Sequence, residues 1–122
     1  MLQTAWLKVV SGPQRGRRVP IDKAPLRIGK AEGCVVRLPD DPLLGIHHAE
    51  ILRQSDGSIV LVDNGAAMGT RLNGNSLRPQ ESVHLRNGDR IAAGSIECVF
   101  VDQRVKQSEV ATTITGRSAK NR

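Results

Sequence analysis

Short apolar stretches recur at close spacing along the chain, separated by clusters of Gly, Pro, Asn and Asp, and few of them sustain a helical period. That pattern predicts strands over residues 6–10, 17–21, 26–29, 35–38, 48–54, 58–63, 70–72, 82–85, 89–92 and 96–101, with no helix. The breakers have a mechanism. Ser11-Gly12-Pro13, Asp56-Gly57, Asn64-Gly65, Asn73-Gly74 and Asn87-Gly88 place residues that tolerate positive φ between extended runs, as hairpin turns require. Residues 53–62 form the clearest hairpin, with Asp56-Gly57 at the bend and Ile51, Ile59 and Leu61 alternating with polar neighbours.

The composition sharpens this picture. Of 122 residues, 39% are hydrophobic but only 2% aromatic, so the core is expected to be aliphatic and rich in β-branched side chains, which suits strands. The length fits one domain that needs neither disulfides nor a metal to hold it. Cys34 and Cys98 lie far apart and make no ligand spacing, so they read as reduced structural thiols. No apolar run reaches the length of a membrane span and the N-terminus lacks a signal-peptide pattern, from which a cytoplasmic location and no membrane partner are expected.

The net charge of +6 is shared unevenly. Residues 1–100 carry 13 Lys and Arg against 10 Asp and Glu, whereas residues 101–122 carry 5 against 2. The domain's charges alternate in sign, the mark of a solvated surface. Nucleic acid is therefore not expected as a partner, all the more because aromatic stacking platforms are lacking. Arg15, Arg17 and Arg18 read as a solvated edge strand. The apolar pattern fades near residue 103, which divides the chain into a folded unit, 1–103, and a flexible basic tail or linker, 104–122.

The blocks LRIGKAEGCVVRLPDDPLLGIHHAEI (26–51), VDNGAAMGTRLNG (62–74) and LRNGDRIAAGSIECVF (85–100) stand in an order and spacing that resemble a forkhead-associated (FHA) domain over about residues 5–101. The resemblance implies an all-β, eleven-stranded sandwich of two twisted sheets with recognition loops at one end, which in that family commonly capture phosphothreonine. A phosphate dianion needs cationic, hydroxyl, amide or backbone N–H donors. The family supplies them from a Gly-Arg, a Ser-Arg-x-His and a Thr-Asn-Gly.

Here those places read Gly29-Lys30, Gly45-Ile46-His47-His48 and Ala67-Met68-Gly69. The hydroxyls, the loop arginine and the asparagine are gone. Lys30 keeps a positive charge as a point rather than a fork, and His48 is expected to support the loops. Each lost donor costs a buried phosphate site about 1–3 kcal/mol. Leu43, Leu44, Ile46, Ala66, Ala67 and Met68 would instead make the loop end apolar, either folding inward over the sandwich or standing out as a protein-contact patch; the patch is the reading taken.

The function expected is thus a protein–protein interaction module in bacterial signalling or assembly that does not require phosphorylation, binding another protein or its own attached domains, with homo-oligomerisation included among the expected contacts. One alternative is weak phosphothreonine recognition by Lys30, Arg71 and backbone N–H groups of the Gly45 and Gly69 loops; another is a structural or regulatory domain of a larger effector. No nucleophile elbow, phosphate loop or metal-ligand spacing is present, so neither catalysis, a cofactor nor a metal is expected, His47-His48 included. In the tail, Thr112 and Thr113 are candidate phosphorylation sites.

Overall fold

The computed structural model describes residues 5–104, which hold eleven strands and no helix. In chain order they are β1 (Ala5–Val9), β2 (Arg18–Pro20), β3 (Leu26–Gly29), β4 (Val36–Arg37), β5 (Ala49–Arg53), β6 (Ile59–Asp63), β7 (Thr70–Leu72), β8 (Asn75–Ser76), β9 (Ser82–His84), β10 (Arg90–Ala93) and β11 (Ile96–Asp102). One sheet runs β2-β1-β11-β10-β7-β8 and the other β4-β3-β5-β6-β9, making an all-β sandwich. All pairings are antiparallel except β3 with β4.

Alternation places the core. Along β11, Ile96, Cys98, Phe100 and Asp102 are buried while their neighbours are half-exposed, and β1 repeats the pattern with Ala5, Leu7 and Val9. These residues join Ile28, Ile51, Leu61, Leu72 and Ile91 in one aliphatic cluster between the sheets, in which Phe100 is the single aromatic. The hairpin at 53–62 pairs Arg53 with Ile59 and Ile51 with Leu61, and the Gln54 amide closes it on the Ser58 carbonyl.

Ten strands coincide with the sequence expectation to within a residue or two. The eleventh, β8, has only two exposed polar residues pairing with β7 at Arg71–Ser76 and Leu72–Asn75, too few to show a pattern. Arg104, read from sequence as the start of the tail, is tied to the domain instead. Its guanidinium donates to both carboxylate oxygens of Asp102 (2.9 and 3.0 Å) and to the carbonyl of Gly57 (2.8 Å). Residues 105–122, with Thr112 and Thr113, lie outside the described residues.

Candidate functional site

Among the connections that gather at one end of the sandwich are 30–35, 38–48 and 64–69, the loops singled out by sequence. His48 holds them together. It is fully buried, accepting at Nδ1 from the Gly45 amide (2.8 Å) and meeting the Gly69 carbonyl through Nε2 (2.8 Å). An amide donor at Nδ1 fixes the neutral Nε2–H tautomer, so one ring joins the 38–48 loop to the 64–69 loop. Its backbone adds two more ties, its amide donating to the Ile28 carbonyl and its carbonyl accepting from Asn64.

The 38–48 loop also lies directly on β3: the amides of Lys30 and Ala31 donate to the carbonyls of Gly45 and Ile46 (3.0 Å each). So close an approach requires Gly29, because a Cβ there would run into the Ile46 carbonyl oxygen.

Two buried carboxylates complete the frame. Asp63 accepts from the Thr70 hydroxyl (2.6 Å) and the Gly65 amide (3.1 Å), bracing the 64–69 loop where it crosses from β6 in one sheet to β7 in the other. Asp41 accepts from the Leu43 amide (3.0 Å) and from the amide (2.8 Å) and hydroxyl (3.1 Å) of Ser95, clamping the 38–48 loop to the β10–β11 turn. Burial pushes the Asp41 carboxyl upward, but the Ser95 and Leu43 donors, with the nearby Lys30 charge, outweigh it and hold it below the ordinary carboxylate value.

On this frame the residues singled out by sequence divide. Ile46 (64% exposed), Met68 (59%) and Leu43 (45%) stand in solvent, and Ala67 is exposed beside Met68. Lys30, Gly45 and Ala66 are half-buried, and Arg71 projects from the exposed side of β7. Leu44 corrects the expected patch: at 3% exposure it belongs to the core, turned inward where the Asp41 clamp presses the loop against Gly94. Val35 (41%), read from sequence as the start of a strand, instead precedes β4 and joins the exposed group. The large hydrophobic side chains exposed among the described residues are thus Val35, Leu43, Ile46 and Met68, all in these three loops.

Two of the backbone donors in the loops invoked for a phosphate are already engaged. The Gly45 amide donates to His48 and the Gly69 amide to the Ala66 carbonyl (3.0 Å). Among the described residues no cluster of three His, Cys, Asp or Glu side chains could hold a metal ion, and no helix is long and apolar enough to cross a membrane.

A two-sheet β-sandwich whose loops converge at one pole over a fixed frame defines a recognition module, a rigid scaffold presenting variable connections. The particular kind is shown by comparison. The model of the FHA domain matches residues 26–94, and the chain belongs to the FHA family. It is 34% identical over 96 residues to an oxoglutarate dehydrogenase inhibitor of Corynebacterium diphtheriae, covering 79% of this chain and 64% of that protein. It is 33% identical over 98 residues to the glycogen accumulation regulator GarA of Mycolicibacterium smegmatis, covering 80% and 59%. The chain therefore spans about three fifths of these relatives' length. Among solved structures, the FhaA FHA domain complexed with the intracellular domain of Rv3910 superposes with a TM-score of 0.67 at 25% identity, over 80% of this chain and 99% of that one. The domain is a protein–protein interaction module of FHA type, a class at work in signalling.

Proposed function

We propose that this domain binds a partner protein through its apolar loop pole without requiring a phosphothreonine, and that it carries out no catalysis of its own. One observation supports this above the others: where the family places a hydroxyl, a guanidinium and an amide, this chain has Gly45, Ile46 and Met68, and the latter two are the most exposed large hydrophobics among the described residues. Covering what remains exposed of either side chain contributes about 1–2 kcal/mol, enough for a pair of such anchors to centre an interface. The frame beneath them is already hydrogen-bonded, so little ordering cost accompanies binding. The partner is another protein or a domain attached to this one, and a cytoplasmic setting accords with that reading.

The test has two arms. Calorimetric titration with a phosphothreonine peptide library should show no binding up to about 1 mM, where only about 4 kcal/mol is at stake. In parallel, a partner recovered with the purified domain should be retained after phosphatase treatment and lost with Ile46→Asp and with Met68→Asp. Micromolar affinity for a phosphothreonine peptide, abolished by Lys30→Ala, overturns the proposal.

A further inference from the structure

We propose that a second recognition site, beside the loop pole and separate from its apolar tip, receives the side chain of a lysine or arginine from a partner protein. The site is a cavity of about 330 Å³ lined by Pro13, Leu38, Pro39, Asp40, Asp41, Pro42 and Ser95. Its walls come from the β1–β2 connection, the 38–48 loop and the β10–β11 turn.

The lining of the cavity favours such an occupant. Three proline rings and Leu38 make an apolar wall whose backbone is stiff, since each ring fixes its own φ. Each wall is also tied down. Gln14 Nε2 donates to the Arg37 carbonyl (2.8 Å), and Arg17 reaches the Val35 carbonyl (2.8 Å). The Ser11 hydroxyl bridges the Ser95 carbonyl (3.2 Å) and the Glu97 amide (2.9 Å). On the other side Asp41 clamps Ser95.

The two carboxylates differ in a telling way. Asp41 is buried with its oxygens satisfied by Leu43 and Ser95, and Lys30 offsets its charge. Asp40 is exposed and, among the described residues, has neither a hydrogen bond nor an ion pair. A largely apolar depression whose lining includes an exposed, unpartnered carboxylate matches a side chain that buries a methylene stem and keeps a cationic head in water. An anion would meet Asp40 unfavourably, and a purely apolar side chain would leave that carboxylate unused. The inference does not rest on how the tip treats phosphate, because none of these residues occupies the family's phosphate-binding positions.

The experiment follows backbone amide shifts of the full chain by NMR as blocked tripeptides Gly-Lys-Gly and Gly-Arg-Gly are added, with Gly-norleucine-Gly as the equally long uncharged control. The basic peptides should shift the amides of Leu38, Asp41 and Ser95 along saturable curves, and the norleucine peptide should bind more weakly. Asp40→Asn should weaken the basic peptides about twofold to fivefold, the size of one exposed ion pair, while leaving the norleucine peptide unchanged. Asp40, being exposed, should tolerate this change without loss of folding. No shift at those amides up to about 20 mM peptide overturns the proposal. Equal binding of the norleucine peptide, or basic peptides indifferent to Asp40→Asn, overturns it as well.

Discussion

At the scale of single residues, the loop pole depends on groups that never reach solvent. His48→Ala would remove both ring contacts, leaving the Gly45 amide and the Gly69 carbonyl without partners and opening a void beneath the loops. A loss of about 2–4 kcal/mol is expected in urea unfolding, with the largest amide shifts at residues 45 and 69. Gly29→Ala would push a methyl group against the Ile46 carbonyl, which is backbone and cannot swing away. Destabilisation of about 1–3 kcal/mol is expected, with displacement of the 38–48 loop. Ile46→Asp, by contrast, changes an exposed position, so its thermal midpoint should stay close to that of the parent even as partner binding fails. The sequence made part of this visible. His48 and the substituted loop positions stood out against the family pattern, but the inward turn of Leu44 did not, since loop residues lack the alternation that tells buried from exposed in a strand. Nor did Asp41 and Asp63 stand out; the only hint was that each lies two residues before a backbone amide it accepts from, a local turn common to many surface aspartates.

At the scale of elements, the strands were the most legible part, because a period of two over a buried face is a strong constraint and the Asn-Gly and Asp-Gly turns fixed where each run stopped. Strand β8 escaped because it buries nothing, and its pairing is imposed by the turn at Asn73 and Gly74, both at positive φ. The clamp between the 38–48 loop and the β10–β11 turn carries a pH signature at this level. The Asp41 carboxyl is held below its ordinary value in the folded state. Its contribution to stability is therefore complete above the unfolded carboxylate pKa of about 3.9 and is lost as pH falls through the lower folded value. Chemical denaturation between neutral and strongly acidic pH should show Asp41→Asn losing less stability on acidification than the parent, while starting from a less stable state at neutrality.

For the whole molecule, the two thiols report on the integrity of the core. Burial pushes the Cys98 thiol up to about 12, with the Glu97 charge adding to the shift, and burial also raises Cys34, which lies against the Ile46 carbonyl. Thiolate is the reactive form. Cys98 should thus resist alkylation at mildly alkaline pH until the sandwich opens globally, and its labelling rate should follow the unfolding equilibrium; fast labelling in native buffer would mean that the sheets part locally.

The pairing of Ala5 with Asp102 has a consequence for architecture. The first strand begins and the last one ends side by side on the pole away from the loops, six strand steps from Ile96, or about 20 Å. The module is wired like a lamp whose leads both enter at the base, so it could be spliced into the middle of a host chain, or re-opened with new ends elsewhere, while its lit side stays turned outward.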